Sequence, residues 1–348
     1  MKTILLSAIA VVLMGLSSCS GEAGNFIVEN EEILPVKSYG NVSSRKILDG
    51  FFIQSIAFDK SGSVWIGTFK QGLIKYNEQE IKHFNFSNSP FTNEMVINSI
   101  ATDSNDNLWI GSNGLIKYDG ENFSLYNSTN SPIPEDYIHS INTDHQNNLW
   151  FSSSRFRLGG IVKFDGKSKW SVFTPDNSEM PGNLISSIAI RGNDVWAGVN
   201  DYVNNVFLVK LTDDKVKCYS GKQLGFTPYY LGNLCMDNNN TLYILNDFML
   251  SSTIYNDDPH LFAFDGKSAK AITCPHGALN RMYIDSKDNI WCVSRNAEDI
   301  LIYTKVEWLA VSVFPEDDKG NTIFCIKEAP DGKIWIGTGN GIYIIDAL

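Results

Sequence analysis

From residue 53 onward the chain is written in short runs that alternate apolar and polar positions, broken at close intervals by Asp, Asn and Gly. The clearest passage is Ile97-Asn98-Ser99-Ile100, a polar turn from Asp103 to Asn107, then Leu108-Trp109-Ile110-Gly111 and Gly114-Leu115-Ile116-Lys117-Tyr118. Period-two alternation puts successive side chains on opposite faces of a strand, and Asp-Gly or Asn-Gly supplies the positive φ of a tight hairpin. These signals predict four strands in this unit: Ile97 to Thr102, Leu108 to Ser112, Leu115 to Tyr118 and, past Asp119-Gly120, Phe123 to Tyr126. Turn pairs recur at Asn113-Gly114, Asp165-Gly166, Asp265-Gly266 and Asp331-Gly332. Helical periodicity of useful length is absent, so the chain reads as all-β.

The unit repeats seven times. Its aromatic residue falls at Trp65, Trp109, Trp150, Trp196, Tyr243, Trp291 and Trp335, with gaps of 44, 41, 46, 47, 48 and 44 residues. Four-stranded antiparallel units at that period predict a seven-bladed β-propeller, with the aromatic column packed between blades as core. The seventh unit supplies only three strands, Ile323 to Lys327, Ile334 to Thr338 and Ile342 to Ile345. One strand ahead of the first unit, Ile33 to Tyr39, is left over. Pairing this N-terminal strand with the last blade would complete it, close the ring and remove an exposed edge.

What precedes the propeller reads as an export signal and a tether. Lys2 is a positive n-region, Ile4 to Leu16 is apolar but short for a membrane span, and small residues follow. Leu16-Ser17-Ser18-Cys19 resembles the lipobox of bacterial lipoproteins, in which the cysteine is lipidated. Residues 1–18 are therefore expected to be a lipoprotein signal peptide, Cys19 the lipidation site, 19–32 a flexible tether and 33–348 the propeller. An ordinary secretory peptide cut near Ser18 is the alternative. Ser20 after the cysteine points to the outer membrane, so a cell-envelope location with a lipid anchor is expected. Without Lys2 the 28 basic residues become 27 against 39 acidic ones, a balance of −12. That sign disfavours nucleic acid and anionic lipid surfaces as partners. The cysteines beyond Cys19 (Cys218, Cys235, Cys274, Cys292 and Cys325) show no Cys-x-x-Cys spacing, which argues against zinc and a disulfide framework.

The strings Val64-Trp65-Ile66-Gly67-Thr68, Asn107-Leu108-Trp109-Ile110-Gly111-Ser112 and Ile334-Trp335-Ile336-Gly337-Thr338 each follow an Asp- or Asn-rich turn and precede Gly-Leu-Ile or Gly-Ile-Tyr. They resemble the two-component regulator propeller repeat. The resemblance covers residues 33 to 348; it is strong in units 1, 2, 3 and 7, weaker in unit 4, where Trp196-Ala197-Gly198 replaces Trp-Ile-Gly, and weakest in units 5 and 6. It implies kinship with the periplasmic sensor halves of hybrid two-component systems, where two such propellers bind oligosaccharides. With one propeller and no kinase in its sequence, this chain is expected to bind rather than to transduce.

Candidate chemistry lies where the units stop repeating. The sequence has no His-Glu-x-x-His, Gly-x-Ser-x-Gly, phosphate loop or dinucleotide fingerprint, and no cofactor or metal is expected. The turn Asp103 to Asn107 faintly resembles a calcium loop but lacks its glycine and terminal glutamate, so it reads as an Asx-rich turn. The links expected at the channel mouth lengthen in units 3 to 5: Ser152 to Gly160, Val199 to Asn205 and Asn246 to His260. They bring in Arg155, Arg157, Asp201 and Tyr202, and unit 6 adds Arg295. Other links to that end carry Phe91, Tyr137, Tyr229 and Tyr230. Beneath them, the second position of each first strand reads Gln54, Asn98, His139, Ser186, Gly232, Asn280 and Phe324, a polar column suited to a wet channel. Gln54, Asn98, His139, Arg155, Arg157, Asp201, Tyr202, Tyr229, Tyr230 and Arg295 are thus the candidate ligand-binding residues. Arginine forks suit carboxylates or sulfates and tyrosines suit sugar faces, which points to an oligosaccharide, with an anionic one in view. Local pairing of the arginines with Asp201 and Asp299 is the competing reading. A polysaccharide lyase using His139 or His260 is the alternative function, and a monomeric scaffold for an envelope protein the third.

Overall fold

The computed structural model describes residues 29–30, 36–155, 158–201, 203, 205–246, 261–275, 279–294, 299–315 and 318–346. They form seven sheets arranged as the blades of a propeller, each with four antiparallel strands in simple meander order, strand A innermost and strand D outermost. Strands B and D of the second blade, Leu108–Ser112 and Phe123–Tyr126, match the sequence reading residue for residue. Strand A there is shorter than expected, Ser99–Thr102. The one α-helix among the described residues is a single turn, Gly221–Leu224.

Ring closure follows the expected principle with a different segment. Ser44–Ile47, not residues 33 to 39, pairs antiparallel with Gly341–Ile345 and completes the last blade. Val36–Asn41 instead runs parallel to Trp308–Ser312 as a fifth strand on blade 6. Glu29–Asn30 lies parallel to Ala269–Ile272 on blade 5. The N-terminal segment thus follows the outer edges of blades 5 and 6 before it closes blade 7. Register explains the choice: Ile47 faces Ile342 and packs into the cluster shared by blades 7 and 1.

The buried apolar residues divide into seven clusters, one at each junction between neighbouring blades. Every aromatic of the repeat is in this core, from Trp109 at 0% exposure to Trp335 at 8%. The glycine two residues after the tryptophan is fixed by close approach of the next blade. A Cβ on Gly111 would lie 2.8 Å from Ile138 Cγ2, and one on Gly337 2.7 Å from Ile53 Cγ2.

The Asx-rich A–B turns are held by their first aspartate. Asp103 Oδ1 accepts the backbone N–H groups of Asn105 and Asn107, at 2.8 and 3.0 Å, and its Oδ2 accepts Asn107 Nδ2. Asp144 and Asp285 repeat this pattern, and Asp59 caps its turn through Ser61 and Ser63. Turns of successive blades are also joined to one another. Lys60 N donates to Asp106 Oδ1 (3.2 Å), Ser104 N to Asn147 Oδ1 (2.6 Å) and Asn238 N to Asp288 Oδ1 (2.9 Å). His145 meets Gly192 O, Arg191 donates to Asn238, and Ser286 N donates to Glu328.

Candidate functional site

Strand A of every blade lines the axis, and a repeated backbone irregularity aims its second residue inward. Pairing with strand B skips one residue between Ile53 and Ser55, Ile138 and Ser140, Ile185 and Ser187, Leu231 and Asn233, Leu279 and Arg281, and Ile323 and Cys325. In blade 2, Asn98 donates its N–H to Gly111 O while Ser99 is the register partner of Gly111. The skipped residue of a β-bulge is freed from the ladder and re-aimed. Here it is Gln54, His139, Ser186, Gly232, Asn280 or Phe324, and with Asn98 all of them line one axial cavity of about 510 Å³.

At the end of the channel where the A strands begin, aromatic rings gather beside these polar groups. Phe52 packs on Phe324 with centroids 4.4 Å apart and on Phe69 at 5.1 Å, and Phe69 is 40% exposed. Tyr137 stacks on His139 at 5.9 Å with its own ring 37% exposed. Burial holds the His139 imidazole below its usual range, against hydrogen bonds to the backbone of Ser186 and Ile185 that draw it upward, so the ring is neutral at pH 7. Its Nδ1 lies 3.2 Å from Ser152 Oγ. Asn98 Nδ2 donates to Ile138 O at 2.9 Å, which locks its amide across the blade junction. Asn280 Oδ1 is buried without a hydrogen-bond partner among the described residues. The arrangement offers flat apolar faces next to amide, hydroxyl and imidazole groups.

Of the residues singled out from the sequence, Gln54, Asn98, His139 and Tyr230 come together in the channel. Arg155, Asp201 and Tyr229 are not among its lining. Arg155 ends strand B of blade 3, where the expected loop is instead a continuous hairpin pairing Arg155 with Leu158. Asp201 accepts from Val203 N, Asn205 N and Asn205 Nδ2 at 2.7–2.8 Å, so its carboxylate closes its own turn. Tyr229 is 42% exposed. Phe91, expected at the mouth, is instead buried between blades 1 and 2. Arg157, Tyr202, Arg295, His260 and Cys19 lie outside the described residues. Sequence reasoning missed Arg281, Tyr283 and Lys327, which also line the cavity. The signal was available: these are the third and fifth positions of strand A, where earlier units carry small residues.

Fold and channel define a seven-bladed β-propeller with a polar, aromatic-rimmed axis. Residues 91–114 and 317–340 match the family described as "Two component regulator propeller", in keeping with the Trp-Ile-Gly strings. The extracellular domain of BT3049, described as a hybrid two component system of B. thetaiotaomicron, is similar over 87% of this chain, at 18% identity and TM-score 0.68. The chain spans 42% of that structure. A streptogramin B lyase structure is similar at 16% identity and TM-score 0.66, over 89% of this chain and 99% of that one. The structure described as YCF48 bound to D1 peptide is similar at 11% identity and TM-score 0.65, over 90% of this chain and 98% of that one. At these identities the likeness is one of fold. No curated protein sequence matches the chain. No helix among the described residues is long and apolar enough to cross a membrane.

Proposed function

We propose that this propeller is a lipid-anchored binding module of the cell envelope that holds an oligosaccharide at the aromatic end of its channel. The observation that carries the reading is the juxtaposition of the Phe52–Phe69–Phe324 cluster and the Tyr137–His139 stack with the inward-aimed Gln54, Asn98 and Asn280. Sugar rings present apolar faces edged by hydroxyls, and aromatic planes flanked by amides complement both features. Long loops are not needed for this, because the bulges themselves present the polar groups. The lipid anchor rests on the Leu16-to-Cys19 string.

A glycan array probed with the full chain, followed by calorimetry on the hits, tests the reading. Phe52→Ala with Asn98→Ala is expected to weaken a hit at least tenfold while the variant still unfolds cooperatively above the assay temperature. A folded protein that binds no glycan, or that binds equally well after both substitutions, overturns it. Labelling with radioactive palmitate, lost in Cys19→Ala, tests the anchor separately.

A further inference from the structure

Strand A of the first four blades carries Ser55 and Ala57, Ser99 and Ala101, Ser140 and Asn142, and Ser187 and Ala189 at its third and fifth positions. Blades 6 and 7 break this rule with Arg281 and Tyr283, and with Cys325 and Lys327. Three of these third-position side chains bridge to the next blade: Ser55 donates to Ile97 O, Ser187 donates to Leu231 O, and Ser99 Oγ accepts Ile141 N. Arg281 keeps the habit with an Nε contact to Phe324 O at 3.4 Å, and its Nη1 donates to Asn280 O at 2.8 Å. A guanidinium has five N–H donors, so a small hydroxyl's task has been given to a far larger group.

The charge balance of the cavity is the reverse of the molecule's. The sequence holds 39 acidic residues against 28 basic ones, yet Arg281 and Lys327 line the channel and none of its described lining residues is Asp or Glu. Both side chains are exposed, and neither forms an ion pair among the described residues. Lys327 Nζ sits 5.7 Å from the Tyr283 ring centroid. The carboxylate next to it, Glu328, is turned to blade 6 and accepts Ser286 N and Oγ, both at 2.6 Å. The two cations act on one place: burial raises the Cys325 thiol to about 12 against the opposing pull of Lys327, the Gly337 backbone and Arg281. Like charges in a narrow channel with low-dielectric walls focus a field that favours an anion.

We infer that the Arg281–Lys327 sector of the channel anchors the anionic group, a carboxylate or a sulfate ester, of an acidic oligosaccharide whose rings lie on the aromatic rim. The inference rests on the oligosaccharide reading above and adds to it the charge of the ligand and the residues that select it. Arg281 supplies the fork that matches two oxygens of such a group, and Lys327 adds a point charge deeper along the same inner surface.

Calorimetry on the full chain tests this with three length-matched oligosaccharides, one uronic-acid-containing, one sulfated and one neutral, and with inorganic sulfate. At least one acidic glycan is expected to bind tenfold or more tightly than the neutral one, with the preference shrinking as salt is raised. Arg281→Gln with Lys327→Gln should erase the preference, bringing acidic-glycan affinity down to that of the neutral glycan; each single variant serves if the pair does not fold. Which acidic glycan binds tells carboxylate from sulfate. Equal binding of acidic and neutral glycans, or a preference that survives both substitutions, overturns the anchor and leaves the rim reading standing. Inorganic sulfate bound by the parent and lost in the double variant, with no glycan bound, supports the anion anchor and overturns the sugar reading. No binding of any probe overturns both.

Discussion

The indole N–H of Trp109 donates to Asp103 Oδ2 at 3.0 Å, joining the centre of strand B to the start of the turn that precedes it. The same bond links Trp65 to Asp59, Trp150 to Asp144 and Trp291 to Asp285, each at 2.9 Å. One carboxylate therefore closes a turn and satisfies the only polar atom of a core side chain. Blade 4 shows what its loss looks like: Arg191-Gly192-Asn193-Asp194 replaces the Asx turn, and Trp196 Nε1 is buried without a partner among the described residues. Asp103→Ala should destabilise the protein by about 2–4 kcal/mol, since it strands a buried N–H and two turn amides. Adding Trp109→Phe should cost less in that background than in the parent, because the stranded donor is then gone. Urea unfolding of the four proteins in this cycle measures the coupling, and simple additivity would refute the linkage.

Two of these aspartates, with Asp237 at the same turn position in blade 5, set the acid limit. Burial raises the carboxyls of Asp59, Asp144 and Asp237, but the hydrogen bonds and, for Asp59 and Asp237, the lysines they face outweigh it and hold all three below 3.8. Folded values lower than unfolded ones mean that the native state binds fewer protons, so stability falls as pH falls. The stabilisation is complete at neutral pH and is lost from about pH 5 downward through 3.8 and below. Melting temperatures between pH 7 and 3 should trace this decline, and Asp144→Asn should flatten it in part. Lys305, lowered by burial but raised more by Asp237 and Asp288, stands above 10.5, so its contribution persists up to that pH and fades beyond it.

Gly337→Ala should be among the more damaging single-methyl additions. Its Cβ would meet the Cys325 sulfur at 2.5 Å and Ile53 Cγ2 at 2.7 Å, at the junction of blades 7 and 1. Overpacking of this kind costs about 1–3 kcal/mol. Gly337→Ala in a Cys325→Ala background should recover part of the loss, as read by denaturant midpoints. A midpoint unchanged by Gly337→Ala alone would show that the blades can part without cost.

Period, turn chemistry and the aromatic column made the ring legible, because those features answer to local geometry that each unit must satisfy by itself. The closing strand was not legible, since Ile33 to Tyr39 and Ser44 to Ile47 offer comparable strand patterns and only packing of Ile47 against blade 7 decides between them. The channel was partly legible. Gln54, Asn98 and His139 were found because a bulged second position is polar in most units. Arg281 and Lys327 were not legible from loop length, since they stand within strands of ordinary length, whereas the long link after Arg155 pairs as an extended hairpin.

N-terminal truncation should separate the two roles of the leading segment. A chain beginning at residue 43 keeps Ser44–Ile47 and loses the parallel strands on blades 5 and 6, so it should fold with a modest loss in melting temperature. A chain beginning at residue 49 loses the outermost strand of blade 7 together with Lys46, which pairs with Asp318 at 2.6 Å, and should unfold or aggregate through the opened edge. Equal melting of the two truncations would show that Ser44–Ile47 does not close the ring.

The seam between blades 7 and 1 is the point where the ring of turn-to-turn hydrogen bonds fails among the described residues. At three junctions, as from Ser104 N to Asn147 Oδ1, the residue after the turn's first position donates its N–H to the side chain at the next blade's fourth position, and the other three are joined through His145, Arg191 and Glu328 side chains. At the seam the donor position is Pro330, which has no N–H, and the acceptor position is Gly62, which has no side chain. Both halves of the bond are missing at once. Asn147 occupies the fourth position at φ 66°, and Gly62 stands at φ 82°, so asparagine can replace this glycine in nearly the same backbone conformation. Pro330→Ser with Gly62→Asn should therefore build the seventh link and stabilise the protein by about 0.5–1.5 kcal/mol. Each single change should give less than half of that, since a donor without an acceptor gains nothing. Hydrogen exchange should show the turn amides on either side of this seam opening first in the parent and later in the double variant. A double variant no more stable than the better single one would mean that the seam does not limit the ring.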